Sequence, residues 1–361
     1  MLGMLPISPM VSTGKFGATY LGCVGFACIM KFLASLACAV IASSLVCAET
    51  DDKYDPLGAP DTKVESKTFE AKYPTSDRVL PVRIYLPKTE KPGPVILFSH
   101  GLGGSCDNNP YLGNHWAARG YVVVFVQHPG SDESLWKDAP PVQRMVAMRK
   151  GASLENFMRR GKDIPVVIDA LTTWNSEKDH PLRGRLDLKH IGMSGHSFGA
   201  NTTQAVAGQN LGRGRLSFRE PRISAAVMMS PSVPERGDPA DAFATIKIPC
   251  LLMTGTLDDS PIGNSKAADR MKVFPNLTHA PAWQVVFDKA THMSFGDRDL
   301  KGNSENGNRY HQPILALTTA FWDAELKGDA AALAWLNGPG ATSALASGDR
   351  WEINALANKS H

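Results

Sequence analysis

Between Ile191 and Ala207 the chain admits few backbone solutions. An apolar run, Ile191-Gly192-Met193, leads into Gly195-His196-Ser197-Phe198-Gly199, and a helix-like segment, Ala200 to Ala207, follows. That order reads as a strand, a sharp turn and a helix. The flanking glycines, Gly195 and Gly199, mark a turn too tight for side chains at those positions. Such a turn holds the Ser197 hydroxyl at a helix N-terminus, whose positive dipole end favours developing negative charge. Ser197 is therefore the candidate nucleophile.

A nucleophilic serine requires donors for an oxyanion, a base and an acid that orients the base. Phe98-Ser99-His100-Gly101-Leu102-Gly103-Gly104 spans the end of an apolar strand and the loop after it. A loop at this place supplies one backbone N–H, and the residue after the nucleophile supplies the second. These are assigned to Leu102 and Phe198, with His100 and Gly101 shaping the loop. Downstream, Gly255-Thr256-Leu257-Asp258-Asp259 leaves one strand and Ala290-Thr291-His292 leaves another. The order serine, acid, histidine places Asp258 as the acid, with Asp259 as its alternative, and His292 as the base. His279 and His311 are the other downstream histidines, one in a Pro-rich loop and one at the entry to the last helix. Open α/β sheets assemble their sites at the C-terminal ends of strands, where all these segments fall.

The remaining sequence alternates short strand-like runs with helical ones. Residues 67–72 and 79–86 read as an opening strand pair. Strands follow at 95–98, 121–126, 191–193, 225–229, 249–253 and 283–287, with a short helix near Trp116. Ile164, Val167, Ile168 and Leu171 make a helical stripe over 163–175, with Asp163 as the expected N-cap. A second amphipathic helix is expected over 312–336, with a break at Gly328. Strands alternating with helices imply an α/β fold, a mostly parallel central sheet with helices on both faces. Residues 130–162 interrupt the alternation and are rich in Met and Arg, as a small cap or a surface helix would be.

Charged residues make up 20% of the 361 and apolar ones 43%, so a large core is expected. The formal charge of +3 is scattered rather than gathered on one stripe, which argues against a nucleic-acid partner. No obligate protein partner is evident. Residues 1–48 hold no acid and only two bases, Lys15 and Lys31. From Met30, Lys31 precedes an apolar stretch that ends at Val46-Cys47-Ala48, the pattern of a secretory signal. The expectation is a leader over 1–48 with its start at Met30, export, and a catalytic domain over 49–361; a retained anchor is the alternative. Four of the six cysteines lie in that leader, and Cys106 and Cys250 are expected as free thiols.

Phe98-Ser99-His100-Gly101-Leu102-Gly103-Gly104, Gly195-His196-Ser197-Phe198-Gly199-Ala200 and Leu252-Met253-Thr254-Gly255-Thr256-Leu257-Asp258-Asp259 together resemble the α/β hydrolases similar to platelet-activating-factor acetylhydrolases and dienelactone-hydrolase-like esterases. The likeness runs through residues 93–336 by element order, with sharp motifs at four loops. It implies the α/β-hydrolase fold and hydrolysis of a small-molecule or lipid ester through an acyl-serine, without metal or cofactor. Dienelactone hydrolases proper carry cysteine where this chain has Ser197, which argues against lactone hydrolysis. The same loops resemble polyester hydrolases more loosely. The same triad also suits a peptidase or amidase, and the same fold a silent binding protein; these are the less favoured readings.

Overall fold

The computed structural model describes residues 54–58, 64–212, 214–297 and 304–359. The expected leader and its four cysteines lie outside the described residues.

Nine strands form one sheet: β1 (Glu65–Lys72), β2 (Val79–Leu86), β3 (Gly93–Ser99), β4 (Val122–Val126), β5 (Leu186–His196), β6 (Ile223–Met229), β7 (Cys250–Leu257), β8 (Ala282–Thr291) and β9 (Arg350–Ile353). Their spatial order is β1-β2-β4-β3-β5-β6-β7-β8-β9. β4, β3 and β5 to β8 run parallel. β1, β2 and β9 are antiparallel to their neighbours. This mostly parallel sheet, with helices packed against it, is the α/β-hydrolase fold.

Continuous apolar strands arise because the sheet is covered on both sides and alternate side chains serve opposite cores. In β3 and β4, Ile96, Phe98, Val123 and Phe125 point into one core with Trp116, Trp283, Phe321 and Trp322. Val95, Leu97, Val122 and Val124 point into the other with Ile164, Val167, Ile168 and Leu171. Four longer helices are labelled α1 (Pro110–Ala118), α2 (Pro141–Gly151), α3 (Leu154–Ser176) and α4 (Phe198–Ala207). Two more lie ahead of β9 in sequence, α5 (Ser304–Lys327) and α6 (Ala330–Asn337).

Three local expectations are corrected. α3 begins well before residue 163: Ser153 is its N-cap and accepts from the Asn156 N–H. Asp163 is instead a buried side chain in mid-helix, bound to His128 and Arg78, because its carboxylate is needed there by tertiary partners. The break at Gly328 is found, with Asp329 capping α6, but the preceding helix starts earlier, at Ser304. Residues 130–162 form a 3-10 turn, α2 and the first turns of α3, with the outer face of α2 open to solvent. Cys106 and Cys250 are both buried free thiols, their proton affinity raised by that burial.

Candidate active site

β5 ends in a turn that reverses directly into α4, and Ser197 sits at its tip with φ 58° and ψ −116°. A non-glycine residue at such φ is strained, and strain of this kind persists only where the surroundings fix it. Here the Ser197 N–H bonds to the Met229 carbonyl of β6 at 2.9 Å. The flanking glycines are a steric requirement. A Cβ on Gly199 would overlap the Ser99 carbonyl oxygen, and one on Gly195 would overlap the Gly199 carbonyl. The serine is held up from the sheet because neighbouring backbone fills the space on both sides.

His292 opens a short 3-10 turn after β8, and Asp258 follows the end of β7. Both strands must approach closely at their ends, and Gly255 allows this, since a Cβ there would overlap the Ala290 carbonyl. His292 Nε2 lies 2.8 Å from Ser197 Oγ, and His292 Nδ1 lies 2.7 Å from Asp258 Oδ1. A carboxylate can only accept, so Nδ1 carries the proton and Nε2 is left as the acceptor for the Ser197 hydroxyl. Asp258 is fully buried and accepts a second bond from Thr254 Oγ1 at 2.9 Å.

The structure therefore brings Ser197, His292 and Asp258 into one relay. It places Asp259 outside, exposed and bound to Lys266 and to the Ala267 N–H. His279 pairs with Thr278 at the surface. His311 bonds to the Gly296 carbonyl and stacks on Tyr111. Neither contacts Ser197.

The loop after β3 lies against the nucleophile: a Cβ on Gly101 would stand 3.6 Å from Ser197 Cβ. Among the described residues, the backbone N–H groups of Leu102 and Phe198 have no hydrogen-bond acceptor. Unpaired backbone donors are uncommon in a folded protein unless water or a ligand takes their place. Two of them beside a poised serine have the character of an oxyanion hole. His100 turns its ring away from Ser197. Its Nε2 accepts from the His128 N–H, so Nδ1 carries the proton and donates to the Gly101 carbonyl at 2.6 Å.

Three residues of this region could not be read from the sequence. Arg270 is buried, forms an ion pair with Asp258 at 3.0 Å and donates to the Asp258 and Ser230 carbonyls. Burial pulls its proton affinity down, and Asp258 opposes that fall. His196, inside the serine motif, donates from Nε2 to the His292 carbonyl and so fixes the backbone of the base. Burial and then the neighbouring His292 hold its pKa well below the usual imidazole range. Arg160 lies behind the Gly101 loop. Only His196 had a local signal, its place beside Ser197. Among the described residues no group of three or more His, Cys, Asp or Glu side chains is arranged to hold a metal ion.

Strand order and the serine elbow together define the α/β-hydrolase fold. The family model for platelet-activating factor acetylhydrolase, isoform II, matches residues 77–137, from the beginning of β2 through the His100–Gly104 loop to the turn after β4. The resemblance, confined to well under half the chain, is to ester hydrolases. No curated protein matches the chain.

Proposed function

We propose that this protein is a serine hydrolase that cleaves carboxylic esters through an acyl-Ser197 intermediate. The observation that carries the reading is the unbroken Asp258–His292–Ser197 relay lying beside the two unpaired N–H groups. His292 Nε2 takes the Ser197 proton as Oγ attacks the ester carbonyl carbon. The carbonyl π pair moves to oxygen, where the Leu102 and Phe198 N–H groups receive it. Asp258 holds the ring in its tautomer and stabilises the imidazolium. Collapse breaks the bond to the alkoxy oxygen, which leaves as the alcohol with the proton from His292. A water, deprotonated by the same nitrogen, then releases the acid and restores Ser197. The family match supports an ester rather than an amide substrate.

Exchange of Ser197 for Ala tests the core of this reading. Turnover of p-nitrophenyl acetate should fall on the order of a millionfold. A fluorophosphonate should add one adduct mass to the wild-type protein and none to Ser197→Ala. Activity retained by that variant would place the nucleophile elsewhere.

A lipid ester is the second reading of the substrate, and α2 favours it. Val142, Met145 and Val146 stand at i, i+3 and i+4 on this helix, and Val142 is 86% exposed. Arg144, Arg149 and Lys150 accompany them, and α2 holds no acid. Met148 on the same helix packs against Gly103 of the loop beside Ser197. An apolar, cationic helix joined to the oxyanion loop suits a substrate presented at a lipid surface. The pattern of Lys31 and residues 32–48 further supports export of the mature chain.

A further inference from the structure

Arg160, on α3, is fully buried, yet among the described residues it makes no ion pair. The nearby carboxylate, Asp163, is occupied by the Arg78 guanidinium and by His128 Nδ1. Arg160 is instead ligated by neutral acceptors at the end of β3, on the loop after it and at Ser131 in the turn after β4. Nη1 donates to the His100 carbonyl at 2.6 Å and to Ser99 Oγ at 3.4 Å. Nη2 donates to the Gly101 carbonyl at 3.4 Å and to the Ser131 carbonyl at 3.3 Å. Nε donates to Ser131 Oγ at 2.8 Å. The guanidinium also lies over the Phe198 ring, 4.6 Å from its centroid. Asp163 and Asp132 offset its charge only at a distance, and a buried cation with no carboxylate in direct contact is costly and is kept where its hydrogen bonds serve a purpose.

Its contacts reach the Gly101–Leu102 peptide and the side chain of Phe198, the two residues whose N–H groups would bind an oxyanion being Leu102 and Phe198. The Gly101 carbonyl gathers three donors: Arg160, His100 Nδ1 and the Gly104 N–H at 3.1 Å. In a planar trans peptide the C=O and the following N–H point in opposite directions. Drawing the Gly101 oxygen toward α3 therefore turns the Leu102 N–H away from α3. Phe198, whose ring the same guanidinium covers, carries the second unpaired N–H. Behind this layer, Ser99, His128 and Asp163 form a second chain with Ser–His–Asp connectivity, at 2.9 and 2.8 Å. All three are buried, and the Ser99 oxygen faces Arg160, so this chain serves as scaffold. Burial and then Arg160 hold His128 at about 4, which keeps it neutral. Neutral His128 donates to Asp163 and accepts from Ser99, whose oxygen is thereby free to accept from Arg160.

We propose that Arg160 is the positioning residue of the oxyanion hole, its forked guanidinium fixing the Gly101–Leu102 peptide with the N–H directed to the reacting carbonyl. This rests on the ester-hydrolase reading, and the experiment separates the two. Wild type, Ser197→Ala, Arg160→Gln, Arg160→Lys and Ser131→Ala are assayed with p-nitrophenyl acetate and with an aryl trifluoromethyl ketone inhibitor, and thermal unfolding monitors the folded fraction. Loss of a single oxyanion donor costs about 10²–10³ in kcat. Arg160→Gln should show a loss of that size with KM within about threefold, and inhibitor affinity should weaken in step with kcat, since both depend on the transition-state geometry. Arg160→Lys, which keeps the charge without the fork, should recover only part of the loss. Ser131→Ala, which frees Nε while leaving Arg160 in place, should lower kcat several-fold with KM unchanged, and it decides the matter if the Arg160 variants do not fold. Folded variants with wild-type kcat and inhibitor affinity would overturn the proposal, as would full rescue by lysine. An inactive wild type, or an active Ser197→Ala, would overturn the underlying reading instead.

Discussion

Two adjacent aspartates, Asp258 and Asp259, show how one residue's environment fixes its role. Both follow the same strand, but only Asp258 turns inward, where His292, Thr254 and Arg270 share its carboxylate. Asp258→Asn removes the acceptor that holds Nδ1 protonated, so turnover should fall roughly 10⁴-fold, as it does when a triad acid is made an amide. Asp259→Asn loses a surface pair with Lys266, worth little in water, and should stay within about threefold of wild type. Steady-state rates on one p-nitrophenyl ester decide it, and reversed magnitudes would move the acid role to Asp259. Ser197, His292 and Asp258 were legible in the sequence because each lies in a short motif after an apolar strand. Arg160 and Arg270 were not. An arginine on a helix reads as surface unless its distant partners are known, and the carbonyls these two hold lie 12 to 60 residues away.

At the scale of elements, the strands of the parallel core were readable because burial on both faces leaves long apolar runs. β9 was not, since four residues at a sheet edge, Arg350–Ile353, carry too little pattern. Asp163 was misread because a polar residue at the edge of an apolar stripe has the composition of a cap. α2 was ambiguous for a physical reason: Val142, Met145 and Val146 face solvent, so their spacing cannot report a core. That exposure supplies a prediction. Val142→Glu with Val146→Glu should leave the unfolding temperature within a degree or two, because neither side chain is buried. Hydrolysis of p-nitrophenyl acetate in solution should be unchanged. Hydrolysis of a short-acyl phospholipid in vesicles containing phosphatidylglycerol should fall at least about tenfold, through weaker adsorption. Equal rates on vesicles and on soluble ester would leave α2 an ordinary surface helix.

For the molecule as a whole, burial has placed many histidines where they must stay neutral. His100, His115, His128, His196 and His311 all have their pKa lowered, with burial the largest cause in each. In the unfolded chain each titrates near 6.5, so between that value and the folded one the unfolded state binds more protons. Stability therefore rises with pH across this window, is complete above about 6.5 and is lost as pH falls. His128, held at about 4, contributes on the order of 3 kcal/mol of that loss by itself. Asp163 adds to it at lower pH. Burial pushes its carboxyl up, but the bonds from His128 and Arg78 outweigh this and hold it at about 2, so its contribution fades below the ordinary aspartate range. Glu325 works in the other sense. Burial raises it to about 7, so the folded state keeps a proton that the unfolded one releases, and this single group stabilises the fold as pH falls from about 7 toward 4.5. Five groups acting one way outweigh one acting the other. The unfolding temperature should drop by more than roughly 5 °C between pH 7.5 and 4.5. His128→Gln, which has no proton to gain, should show a shallower drop than wild type, although it starts from a lower value for want of the bonds to Ser99 and Asp163. A flat profile, or a variant as acid-sensitive as wild type, would mean that these histidines take up protons as readily in the folded protein as in the unfolded chain.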